Sequence, residues 1–288
     1  MAQVNDNHPK GAELSDSQLK EFALQQHKQQ EVKQSGFPTE VITLPSRGLV
    51  YQAGSSLSEG TVEMKYMTAR EEDILTSQNL IKQGIVLDKL MQSMIVSPIR
   101  YEDLVIGDKN AIMVAARILG YGKDYPIDLP CPSCNATNKI DIDLTQLPES
   151  NIPDDVVSPS PGVFEFVLPQ SKRVIHFQLL TIGADKRITK DLEAVKKINR
   201  SSQVIDRELT TRLKNIIVSV DGESDKATIN NFVDNELFAM DSRALRTYMR
   251  EISPDVKFQI DNFACTECDH EEEALGFSID TNFFWPKS

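Results

Sequence analysis

Apolar side chains recur along this chain at two spacings, and the spacing changes from one segment to the next. VITLPSRGLVY, from Val41, places a Pro-Ser-Arg-Gly turn between apolar stretches, and TVEMKYM alternates through Val62, Met64 and Tyr66. Alternation of this kind predicts a small β element. Thr68-Ala-Arg-Glu71 then reads as a capping box opening a helix through Ile74 and Leu75. Leu87, Leu90, Met91, Met94 and Ile95 follow at helical spacing, with Pro98 as the stop. A third helix is predicted with Asp108 as its cap, carrying Ile112, Ala115, Ala116 and Leu119 to Gly120. Its small residues predict close packing against another helix or a strand.

Glu149–Gly162, rich in Pro, Ser and Asp, reads as a linker. Beyond it, strands Val163–Leu168 and Val174–Leu180 flank a Pro-Gln-Ser-Lys turn. Helices are predicted at Ala184–Ile198, on Ile188, Leu192 and Val195, and at Ile205–Ile217, on Leu209, Leu213 and Ile217. Asp241 is the predicted cap of a further helix carrying Leu245, Tyr248 and Met249.

The two stretches follow one plan. Ile95-Val96-Ser97 and Ile217-Val218-Ser219 each close a helix, and an Asp-capped helix follows each. Each stretch then reaches a Cys-x-x-Cys, Asp108 preceding Cys131 by 23 residues and Asp241 preceding Cys265 by 24. The expectation is an α+β protein of two diverged halves, residues 38–148 and 163–288, joined by the linker 149–162; chance likeness in a common order of elements is the alternative. The first 37 residues are polar and nearly free of aromatics, and read as a flexible arm in which Ser15-Asp16 caps a short helix.

Each cysteine pair falls at the tip of a predicted hairpin. Tyr125, Ile127 and Leu129 alternate before Cys131, and Ile140, Ile142 and Leu144 after Cys134. Val256, Phe258 and Ile260 precede Cys265, and Leu275, Phe277 and Ile279 follow Cys268. A Cys-x-x-Cys turn sets two thiolates near adjacent corners of a tetrahedron, so each hairpin is half of a structural zinc site. Cys131, Cys134, Cys265 and Cys268 are therefore the predicted ligands of one Zn2+ per chain, in a zinc-ribbon-like joint between the halves. The separation of the pairs far exceeds that of an ordinary zinc finger, and a duplicated scaffold accounts for it. Incomplete metal binding, reduced buried thiols and a redox pair stay open, although a thioredoxin-like pair needs a helix N-terminus and both pairs here are flanked by strands. His270 is a possible substitute ligand or a solvated surface residue.

The chain has 288 residues, 40% hydrophobic, enough to bury a core without cysteine staples. Its net charge of -12 repels phosphate backbones, so nucleic acid is not an expected partner. No apolar run approaches a membrane span, and MAQVNDNHPK is no signal peptide; a soluble protein without a membrane partner is expected. No phosphate-binding, dinucleotide, nucleophile-elbow or zincin motif is present, and His8, His27, His176 and His270 are the only histidines. Neither catalysis nor a small-molecule substrate is expected. The terminal cluster Phe283, Phe284 and Trp285 is the candidate partner-binding group, with a plug of the protein's own core as the equal alternative.

Four stretches resemble one known family: TLPSRGLVY, GTVEMKYMTAREEDILTSQNLIKQGIVLDKL, DLVIGDKNAIMVAARILGYGKDYPIDLPCPSC and the terminal TNFFWP. They are similar to the baseplate proteins of T4-like contractile-tailed phages, which include the baseplate hub subunit and a hub assembly protein. The likeness runs from Phe37 to Pro286 and is densest from Leu44 to Cys134. It implies a structural or assembly role in the baseplate hub, with other baseplate or hub proteins as partners. The place implied is the host cytoplasm during assembly, or the tail baseplate of the virion. The competing classes are a zinc-ribbon accessory subunit of a transcription or replication complex, and a thiol oxidoreductase.

Overall fold

The computed structural model describes residues 38–198, 207–279 and 281–285. The chain divides into two units, Met1–Pro38 and Thr39–Ser288, and the second carries the architecture below. The predicted arm, with its capped helix, His8 and His27, lies outside the described residues.

Strands β1 (Thr39–Thr43) and β2 (Thr61–Lys65) pair antiparallel, Thr39 opposite Lys65 and Thr43 opposite Thr61. The alternation read in β2 holds, since Val62 and Met64 are fully buried. Between the strands the chain turns at Leu44-Pro45-Ser46-Arg47, where the Arg47 N–H donates to the Leu44 carbonyl at 2.8 Å and Arg47 adopts φ 49°. Gly48 follows at φ 83°, and any Cβ there would lie 2.3 Å from the Ser58 carbonyl oxygen, so only glycine fits.

Helix α1 (Ala69–Thr76) begins where the capping pattern places it. The capping box is formed, and the Glu71 carboxylate accepts from the Thr68 N–H at 3.0 Å and from its hydroxyl at 2.6 Å. Lys65 and Ser93 donate to the other carboxylate oxygen at 2.8 and 2.7 Å. Burial works to raise the Glu71 pKa, but the bonds from Lys65, Thr68 and Ser93 outweigh it and hold the carboxyl down to about 2.

Two short helices follow, α2 (Gln78–Lys82) and α3 (Val86–Met94). The predicted stripe is right for Leu90, Met91 and Met94, which are fully buried, but the helix ends at Met94, before Ile95 and Pro98. Ile95 leaves to bridge Met64, and the Val96 N–H donates to the Glu63 carbonyl at 2.8 Å. Ile95–Ser97 thus lies along β2 as a third extended segment.

Helix α4 (Ile106–Tyr121) starts after Val105, so Asp108 is not its cap. It occupies the third helical position, fully buried, and accepts from the Ser46 N–H at 3.0 Å, the Ser46 hydroxyl at 2.6 Å and the Tyr51 hydroxyl. Strands β3 (Asp124–Pro130) and β4 (Thr137–Asp143) then pair antiparallel, Ile127 opposite Ile140 and Leu129 opposite Asn138.

The predicted linker begins as strand β5 (Glu149–Ser150), and its Ile152 and Val156 pack on a core. Strands β6 (Phe164–Val167) and β7 (Val174–Phe177) flank the Leu168-Pro169 turn, where Lys172 takes φ 60°. Helix α5 (Ile182–Ile198) matches its prediction closely. Helix α6 spans Glu208–Ile216; the start predicted at Ile205 falls outside the described residues. Ile217 does not close this helix but opens strand β8 (Ile217–Val220), which pairs with β7. Helix α7 (Lys226–Asn231) runs into a π turn at Phe232–Glu236, and α8 (Ala239–Ile252) follows. Phe238 is the N-cap of α8, so Asp241 is again the third helical residue and not the cap. Fully buried, it accepts from the Gln170 and Ser171 N–H groups at 2.7 and 3.0 Å. Strand β9 (Asp255–Val256) pairs with β5, and β10 (Gln259–Ala264) pairs antiparallel with β11 (Glu271–Gly276).

Apolar side chains gather in two main cores. The first joins β2, α1, α3 and α4 with Tyr125, Ile142, Leu144, Ile182 and Val256. The second joins β6, β7 and β8 with Leu213, Ile216, Ile229, Phe232, Leu245 and Ile252. Full burial of side chains this size stabilises by about 1.5–3 kcal/mol each. No helix among the described residues is long and apolar enough to cross a membrane.

Candidate metal centre

Cys131 and Cys134 occupy the connection between β3 and β4, and Cys265 and Cys268 that between β10 and β11. Both turns are tied in one way. The Cys131 N–H donates to the Ala136 carbonyl at 2.8 Å, and the Cys265 N–H to the His270 carbonyl at 3.0 Å. The Ser133 N–H points at the Cys131 Sγ and the Glu267 N–H at the Cys265 Sγ, each at 3.4 Å. Asn135 completes the first turn at φ 60°, a conformation asparagine tolerates.

The two turns meet. Cys131 Sγ lies 3.8 Å from Cys268 Sγ and Cys134 Sγ 3.7 Å from Cys265 Sγ, and all four sulfurs fall within 4.8 Å of one another. A tetrahedron of sulfurs about a zinc at about 2.3 Å has edges of about 3.8 Å. A disulfide needs about 2.05 Å, and all four cysteines are free. The first cysteine of each pair faces the second of the other, so exchanging the hairpins maps one contact onto the other. Four thiolates fill a tetrahedral shell and leave no position for substrate or water, so an ion held here serves structure.

Cys131 is buried, Cys134 exposed, and Cys265 and Cys268 half-buried, over a floor of Leu129 and Phe263. The turn amides, that of Glu267 foremost, stabilise the Cys265 thiolate and draw its pKa down to about 6. Cys268 receives the His270 amide, yet the neighbouring thiol of Cys134 and burial push it up to about 12. Four thiols this close do not all ionise without a cation among them.

Asn138, in β4, is marked by no motif in the sequence. It is buried, and its Oδ1 accepts from the Thr266 N–H at 2.9 Å and hydroxyl at 3.1 Å, across to the other hairpin. Its Nδ2 donates to the Ala136 carbonyl at 3.1 Å and points at Cys265 Sγ at 3.7 Å. The available signal was an amide at a position whose cross-strand neighbour is Leu129.

The other candidate residues lie apart from the sulfurs. His270 stands outside the cluster, its Nε2 3.6 Å from a Glu272 carboxylate oxygen. His176 joins a cross-strand ladder, Nδ1 2.8 Å from the Ser219 hydroxyl and Nε2 3.1 Å from Glu165. Phe283 and Phe284 are buried in the first core, Phe283 edge-on to Tyr125 at 5.1 Å, so neither ring presents a surface to a partner. They complete the core against Tyr125 of β3 and the helix α4. Trp285 is half-buried against the same core.

Compared with known families, residues 50–285 match the model described as T4 bacteriophage base plate protein. No curated protein and no solved structure matches the chain.

Proposed function

The chain belongs to the T4 bacteriophage base plate protein family, and from that premise we propose that it is a structural or assembly component of the hub of a contractile-tail baseplate. In this reading it is a scaffold for other baseplate or hub proteins and not an enzyme. It acts in the host cytoplasm during assembly or remains in the virion tail. A single Zn2+ held by Cys131, Cys134, Cys265 and Cys268 staples two halves in a zinc-ribbon-like joint. The observation that carries the staple is the meeting of four sulfurs from hairpins far apart in sequence, all within 4.8 Å.

We read the halves, residues 38–148 and 163–288, as diverged copies of one ancestor, with 149–162 between them. Support comes from matched details: a Leu-Pro turn with a positive-φ basic residue, Arg47 or Lys172, and a buried Asp at the third position of a helix holding that turn. An extended Ile-Val-Ser segment beside the second strand and a terminal cysteine hairpin complete the set. Family membership favours this role over a transcription or replication accessory subunit. Strands rather than helices beside the thiols favour it over a thiol oxidoreductase.

Affinity purification of the tagged chain from infected cells, compared with protein analysis of finished particles, tests the role. Co-purification with baseplate proteins supports it, and presence in particles marks a virion component. Recovery from infected cells free of every baseplate protein, together with absence from finished particles, contradicts it.

A further inference from the structure

Asp108 and Asp241 stand at the third position of α4 and α8, which places the two helices in one register. Gly107 then matches Met240, Asn110 matches Arg243, and Ala111 matches Ala244. On α4 this face is covered. Pro254 lies so close that a Cβ on Gly107 would sit 1.7 Å from its carbonyl oxygen. The Asn110 Nδ2 donates to the Asp255 carboxylate at 2.9 Å, and Val256 lines a groove with Ala111 and Ala115.

On α8 the same face is open. Met240 is 56% and the preceding Phe238 50% exposed. Met240, Arg243, Ala244, Thr247 and Glu251 line a shallow groove floored by Phe166 and Tyr248, whose rings stack at 4.6 Å. Arg243, Arg246 and Arg250 project along this helix, and among the described residues none has a carboxylate partner. In a chain of net charge -12, three arginines against the single Glu251 carboxylate of the groove make a local reversal of sign beside exposed apolar surface.

We infer that this face of α8 is a docking site for an extended, acidic segment of a partner protein. Like Pro254–Val256, the segment carries a carboxylate followed by a branched apolar residue. The substitutions agree with each other. Methionine in place of Gly107 holds the incoming backbone further from the helix, and arginine in place of Asn110 is longer by the reach needed to meet a carboxylate across that distance. Arginine also grips a carboxylate with two parallel bonds where asparagine offers one. The apolar residue after it lies over Ala244 and Tyr248. This inference rests on the helices and not on the metal.

The test uses the intact chain and a fluorescent peptide copying Ser253–Phe258, the segment seated on the matching face of α4. Saturable binding is expected, weakened about tenfold or more by Arg243→Glu and likewise by Thr247→Glu. A peptide with Lys in place of the Asp should recover binding to Arg243→Glu, since charge reversal on both sides restores the pair. Arg243 and Thr247 are exposed, so both variants should keep the native circular dichroism. No saturable binding at millimolar peptide overturns the inference, as does binding indifferent to both substitutions. Concentration-dependent dimerisation abolished by Arg243→Glu also overturns it, because the occupant is then a second copy.

Discussion

Asn138 in one cysteine hairpin accepts the backbone N–H of Thr266 in the other at 2.9 Å. The bond lies beside the four sulfurs and joins the same two turns, so the hairpins are held together by the protein's own polar groups as well as by any ion between them. It fixes the second turn while pointing an amide N–H at Cys265.

Replacing Asn138 by alanine leaves the Thr266 N–H without its acceptor in a half-buried place. Chemical denaturation should show a loss of about 1–3 kcal/mol. Asn138 supplies no metal ligand in this account, so zinc stoichiometry should be unchanged, but affinity measured by chelator competition should fall about ten- to a hundredfold. A stable variant with unaltered affinity would remove Asn138 from the site.

Gly107 and Met240 occupy matching positions and predict opposite sensitivities. Gly107→Ala forces a Cβ into the Pro254 carbonyl, 1.7 Å away, and should cost at least about 3 kcal/mol or release β9 from α4. Met240→Ala, on an exposed side chain, should stay within about 0.5 kcal/mol. Paired urea titrations check both.

The two buried aspartates predict opposite dependences on pH. Burial pushes the Asp108 pKa up, and the Ser46 and Tyr51 bonds do not fully offset it. Burial also raises Asp241, but the amides of Gln170 and Ser171 prevail and lower it. A depressed carboxylate stabilises the fold above its unfolded value of 3.8, and that gain is lost as pH falls through the folded value. A raised one is the reverse: the fold is penalised progressively as pH rises from the unfolded value through the folded one. The stability gap between wild type and Asp241→Asn should therefore shrink on acidification, while any advantage of wild type over Asp108→Asn should shrink as pH rises. Stability measured from pH 3 to 7 for the three proteins decides it, and parallel curves for the two variants would contradict it.

Local pattern made the alternation of β2, the capping box at Thr68, the buried stripe of α3 and the strands beside each Cys-x-x-Cys legible. The small residues of α4 announced a close neighbour, and β9 packs on that helix, Val256 sharing a groove with Ala115. What failed depended on contacts distant in sequence. Asp108 and Asp241 look like caps, because a short polar residue before an apolar run is the cap signal. Turns some 60 to 70 residues upstream bury them inside the first helical turn instead. Ile95 and Ile217 continue the helical spacing, yet each leaves its helix because an open strand edge lies alongside. Phe283 and Phe284 carry no mark in the sequence of whether they serve the core or a partner. Asn138 needed the other hairpin, which no local reading supplies.

The zinc staple is tested most directly by the metal content of the purified native protein, measured with thermal unfolding for wild type and Cys265→Ser. One zinc per wild-type chain is expected, lost in the variant together with cooperative unfolding at the wild-type temperature, with the same loss when wild type is treated with a strong chelator. A native protein that is metal-free and as stable as its cysteine variant would contradict it.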